Sequence, residues 1–162
     1  MKRKIQLIFT LLSVFYTITG FSQNADNYIS INTSTSAFTA ITTPAQVTAS
    51  QTKTAAFILT MEARNTNARI FVQGSSSSVI PISKLALKLN ALGGSGASNV
   101  PDENFSAVSL TGATQQLFSI TKTNNANKAV TATYDLVLSA IGWSVPGGTT
   151  YSFSLTFTMT QP

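Results

Sequence analysis

Residues 150–161 read TYSFSLTFTMTQ, with Tyr151, Phe153, Leu155, Phe157 and Met159 in one set and Ser152, Ser154, Thr156, Thr158 and Thr160 in the other. Strict period-two alternation of this length is incompatible with a helical stripe, whose apolar residues return every three or four positions. It predicts a β-strand with one apolar and one polar face.

Working back from that strand, the chain alternates short apolar runs with turn signals. Strand candidates are 28–31, 54–63, 69–73, 83–92, 105–110, 116–122 and 129–140. The breaks between them are rich in Gly, Pro, Asn and Ser: Asn65-Thr66-Asn67, Gly74 through Ser78, Gly93-Gly94-Ser95-Gly96, Gly112-Ala113, Asn124 through Asn127 and Pro146-Gly147-Gly148. Residues 83–92 contain good helix formers, but Leu85, Leu87 and Leu89 recur every second position, which favours a strand. No fixed-period repeat argues for a solenoid or propeller. The expected fold is therefore all-β, an Ig-like antiparallel β-sandwich of about seven to nine strands.

At the other end, Lys2-Arg3-Lys4 precedes an apolar stretch from Ile5 to Ile18, and Gly20-Phe21-Ser22 supplies small residues at a cleavage site. This order predicts a signal peptide over residues 1–22, with Gln23 as the mature N-terminus. The apolar stretch is shorter than the roughly 20 residues a spanning helix needs. The organisation expected is a leader, 1–22, and one sandwich domain, 23–162, exported and held in no membrane after cleavage. Residues 23–162 suffice for one core, burying about two thirds of the extended chain's surface.

The chain has no cysteine, so the core must hold without disulfides even in an oxidising compartment, which fits export from a bacterium. Removing Lys2, Arg3 and Lys4 leaves seven bases against five acids, so the basic balance owes much to the leader. The remaining bases are scattered singly, with no aromatic interleaving, which argues against nucleic-acid binding.

The residue inventory also argues against enzymatic activity. Without His or Cys the chain lacks the common general base, the commonest transition-metal ligand and the thiolate nucleophile. Ser83-Lys84 are strand neighbours, which point to opposite faces, so the lysine is expected in solvent. Asp26, Glu62, Asp102, Glu103 and Asp135 show no context that marks an acid–base pair. Asp102-Glu103-Asn104 offers too few oxygens for calcium and is expected as a solvated loop. Gly93 through Gly96 lacks the lysine and helix of a phosphate cradle. No catalytic residue, metal site or cofactor is expected.

Aromatic side chains are the remaining candidates for ligand contact. Trp143, between Gly142 and the Pro146-Gly147-Gly148 turn, can either cap the core at a strand end or expose its indole to stack on a sugar ring, with Tyr151 as the possible second ring. The capping role is the expected one.

The stretch Val145-Pro146-Gly147-Gly148-Thr149-Thr150-Tyr151, running into a terminal Ser/Thr-alternating strand, resembles the C-terminal end of chaperone–usher pilin subunits and spore-coat-U-like domains. The resemblance covers mainly the last 20 residues. It implies an incomplete Ig-like sandwich filled by a neighbour's strand to give a surface fibre, with Ile29, Ile31 and the Thr-rich run after them as the donor. The reading that follows is an exported structural or adhesive surface protein, its partner a further copy of itself or a cell-surface glycan. The alternative is a monomeric carbohydrate- or surface-binding module working through Trp143.

Overall fold

The computed structural model describes residues 12–18 (as backbone), 27–33, 37–76, 79–124, 126–143, 145 and 150–162. The rest of the expected leader, the expected Ser22–Gln23 cleavage junction and the Pro146-Gly147-Gly148 turn lie outside the described residues.

Ten strands are described: β1 (Leu12–Ile18), β2 (Asn27–Thr33), β3 (Ala37–Phe38), β4 (Gln51–Ala63), β5 (Ala68–Ser76), β6 (Leu85–Gly93), β7 (Val108–Ser109), β8 (Gln115–Ile120), β9 (Val130–Leu138) and β10 (Tyr151–Thr160). They form two five-stranded sheets, ordered β3-β1-β10-β5-β8 and β2-β4-β9-β6-β7. The chain is an all-β sandwich, as its alternation predicts. Nine of the strands follow residue 22. The tenth, β1, lies in the segment expected to be leader, and it makes the only parallel pairing among the described residues. No helix among the described residues is long and apolar enough to cross a membrane.

Strand order carries more information than strand count. The run β2-β4-β9-β6 has the A-B-E-D connectivity of an Ig-type sheet, and β10-β5 has its F-C pairing. In an Ig-type sandwich the strand beyond F, on the side away from C, is the last one, G. Here that place is held by β1.

Between the sheets the core is continuous. The buried set of β10 (Phe153, Leu155, Phe157) meets Phe57, Leu59 and Met61 of β4 and Val130, Ala132 and Leu136 of β9. Phe57 stacks on Tyr134 with ring centroids 5.4 Å apart, and Phe157 tilts against Phe57 at 5.3 Å. Burial pushes the Tyr134 phenol well above its ordinary range. A group raised in the folded state contributes its stability fully below its unfolded pKa, about 10 for tyrosine, and that contribution is lost as pH rises beyond it. In an alkaline titration followed at 295 nm, Tyr134 should therefore ionise only together with unfolding. A full complement of phenolate signal while far-UV circular dichroism remains native would contradict its burial.

The central strand β9 interrupts this regularity at Asp135, which is buried between Tyr134 and Leu136. On the β4 side Lys53 pairs with Leu136 and Phe57 with Tyr134, so Thr54, Ala55 and Ala56 bulge opposite Asp135 alone. On the β6 side Leu89 pairs with Tyr134 and Ala91 with Thr133, leaving Asn90 as the extra residue. Both bulges bond the same oxygen: Asp135 Oδ1 accepts from the Ala55 backbone N–H at 2.8 Å and from Asn90 Nδ2 at 2.7 Å. Ala55 sits at φ 47°, a left-handed conformation that costs a non-glycine residue energy and is held here by that bond.

A short helix, α1 (Pro44–Thr48), precedes β4. Its start is a capping box: the Thr43 hydroxyl accepts from Gln46 N–H while Gln46 Oε1 accepts from Thr43 N–H, and Pro44 occupies the first turn, where no backbone donor is needed.

Candidate strand-acceptor site

The candidate site is the outer edge of β10. Along its inner edge β10 pairs antiparallel with β5 from Phe153 opposite Ser76 to Thr160 opposite Arg69. Along its outer edge it pairs with β1 in parallel, in an unbroken register from Leu12 beside Tyr151 to Ile18 beside Phe157. β1 in turn is the strand that β3 pairs with, through Leu12–Phe38 and Ser13–Ala37. A seven-residue strand thus sits between a ten-residue strand and a two-residue stub. Taken away, it would leave a row of unpaired β10 backbone groups beside Phe153, Leu155 and Phe157, which are fully buried with it in place.

The register sets Leu12, Val14, Tyr16 and Ile18 beside Tyr151, Phe153, Leu155 and Phe157. In β10 these are the apolar positions of the alternation; in β1 they are apolar too, although Phe15, beside Ser154, breaks strict alternation. The apolar run with Ser and Thr interspersed that gives residues 5–18 the pattern of an export signal thus also contributes a strand, Leu12–Ile18.

The donor expected from the pilin resemblance is not where the structure has a free strand. Ile29 is buried and Ile31 half-buried in β2, which pairs with β4 from Asn27–Ala63 to Thr33–Phe57. The start of β2 is fastened further. Asn27 Oδ1 accepts from Arg64 N–H at 3.0 Å, and Asn27 Nδ2 donates to Thr66 Oγ1 at 3.1 Å. The strand serves as the A-type edge of its own sandwich.

Trp143 also departs from expectation. It is not a core cap, since 65% of it is exposed. The segment before it is fastened at three points: Ser139 N–H donates to the Lys84 carbonyl at 2.8 Å, Lys84 Nζ to the Ala140 carbonyl at 2.9 Å, and Gly142 N–H to the Val47 carbonyl at 3.2 Å. Gly142, at φ +76°, then turns the chain outward. Tyr151, the second candidate ring, is only 6% exposed and packs in the core as the first residue of β10, so it cannot share a sugar platform with the indole. Alternation alone marks Tyr151 as inward. Lys84, expected in solvent, is instead a half-buried donor that ties the β6 entry to this loop.

Glu62, Asp102 and Asp135 have structural partners. Glu62 is buried and accepts from Arg64 Nε at 2.8 Å and from Lys128 N–H at 3.2 Å. Asp102 accepts from Ser119 N–H at 2.7 Å and Oγ at 3.0 Å, which pins its loop to β8. Asp135 holds the two bulges. No group of three or more potential metal-binding side chains occurs among the described residues.

No family model matches the chain, and no curated protein is similar to it.

Proposed function

We propose that this protein is an exported, non-enzymatic structural subunit of a bacterial surface, whose sandwich is completed beside β10 by a strand from another chain. The observation that carries this reading is that the outer edge of β10 is covered by the segment bearing the export-signal pattern, Leu12–Ile18. Cleavage after Ser22 would remove that cover. An exposed edge of ten alternating residues, with Phe153, Leu155 and Phe157 behind it, is a site for β-augmentation, in which main-chain bonds give affinity and alternate side chains give specificity.

The segment left before β2 after cleavage is too short to refill the place. Only Gln23 to Asp26 would precede β2, four residues reaching at most about 14 Å, whereas a seven-residue strand spans about 23 Å. In this reading the strand comes from a partner. Size-exclusion chromatography and negative-stain microscopy of the exported protein and its producing cells test the reading. Ladders or filaments containing the protein are expected; a strictly monomeric processed protein at high concentration would refute it.

A second reading, a glycan-binding module, is favoured by the exposure of Trp143 on its fastened loop. Trp143→Ala should change stability by no more than about 0.5 kcal/mol, as for other surface substitutions. Loss of polysaccharide binding in that stable variant, measured by glycan array, would support this reading. A destabilisation of about 3 kcal/mol or more, the range for buried large aromatics, would restore the core-cap role.

A further inference from the structure

We infer that the leader is the cognate strand of the β10 site: with the leader attached the chain is a closed, self-complemented sandwich, and removal of the leader opens the acceptor. This rests on the surface-subunit reading and names what regulates its site. Three observations carry it. First, Leu12–Ile18 occupies the whole interval from Tyr151 to Phe157 without a register shift, whereas three of the other strand pairings contain one. Second, it bridges β10 to β3, whose only pairing among the described residues is with β1, so the leader strand also fixes the edge of its sheet. Third, the connection is long enough. Eight residues, 19–26, separate β1 from β2, and a chain of that length reaches up to about 28 Å, well beyond the roughly 10 Å between packed sheets.

The consequence is a safeguard. A tethered strand has an effective concentration in the millimolar range, so an unprocessed chain would reject strands from other molecules and stay unassembled inside the producing cell. The same tether is absent after processing, when the edge becomes available outside.

The full chain, free of cysteine, allows a direct test. A protease site replaces the native junction within residues 19–26, and Thr17→Cys is combined with Thr156→Cys, its register partner. Neighbouring strands lie about 4.8 Å apart, within the Cα separation a disulfide accepts. Oxidation should link this pair nearly completely, and the out-of-register pair Thr17→Cys with Thr160→Cys far less. A fluorescent peptide of Leu12–Ile18, flanked by lysines, is then offered to the folded protein. At micromolar peptide the oxidised chain should take up at least about 100-fold less than the reduced chain nicked after folding, as the millimolar tether requires.

Equal linkage of the in-register and out-of-register pairs would overturn the inference, as would equal peptide uptake by the oxidised and the nicked chains. Failure of the surface-subunit reading is distinguishable from either, because it appears as the lack of assemblies from exporting cells whatever the cross-link yields.

Discussion

Leu155→Asp should abolish the soluble fold. Leu155 is fully buried at the centre of β10, between Phe153 and Phe157, and opposite Gly74 of β5. A carboxylate there would enter a cluster of buried apolar side chains. Burying an unpaired ion, or protonating it and burying an unbonded carboxyl, costs several kcal/mol on top of the lost leucine packing. Together these reach the about 5–15 kcal/mol that holds an entire domain. Ser154→Ala, on the alternate face of the same strand, should stay within about 0.5 kcal/mol of wild type in urea denaturation. A folded, cooperative Leu155→Asp protein would mean that β10 is not a core strand.

Asp135→Ala should destabilise the fold measurably. It removes the acceptor shared by Ala55 N–H and Asn90 Nδ2, leaving the donors of two bulges to seek other partners in the middle of a sheet. Ala55 and Asn90 are themselves exposed, so water can bond the freed donors, and the loss is about 1.5–3 kcal/mol, the worth of a hydrogen bond to a charged group. Asp135→Asn keeps an oxygen in place and should recover part of it. Chemical denaturation of the three proteins decides the matter, and an Asp135→Ala variant as stable as wild type would show that the bulges hold without the carboxylate.

Asp135 also shows where sequence reasoning stops. The alternation in 150–161, 83–92 and 129–140 is a one-dimensional signal, and strands β10, β6 and β9 stand where it places them. A lone acid inside AVTATYDLVLSA marks an anomaly, but its role depends on residues 80 and 45 positions away that only the sheet brings together. Glu62 is similar in part: Arg64 stands two residues along, but the Lys128 backbone comes from 66 positions away.

Other misses have local causes. The Thr43-Pro44-Ala45-Gln46 capping box is visible in the sequence, yet a five-residue helix in a Thr/Ser-rich stretch leaves no periodicity to find. Residues 105–110 look like a full strand and yield only Val108–Ser109, because β7 is an edge that pairs with β6 at two positions. Trp143 was ambiguous because exposure at a strand end is set by the fastening of its loop through Lys84 and Val47, not by its neighbours in sequence.

The acceptor edge itself follows from two separate readings. Hydropathy marks the leader, and alternation marks the last strand, but neither says that the two lie side by side. That pairing joins residues about 140 positions apart, and parallel neighbours leave no hairpin turn in the sequence to announce them.

The central claim is that β10 has one permanent and one exchangeable neighbour, and hydrogen–deuterium exchange of the processed protein tests it most directly. Alternate β10 amides face β5 and the opposite edge. In the processed monomer, the set facing β5 should be protected and the other set should exchange fast, with protection of the second set appearing on assembly or on addition of the Leu12–Ile18 peptide. Uniform protection of both sets in the free processed monomer would contradict the account, because it would mean that the edge is already closed.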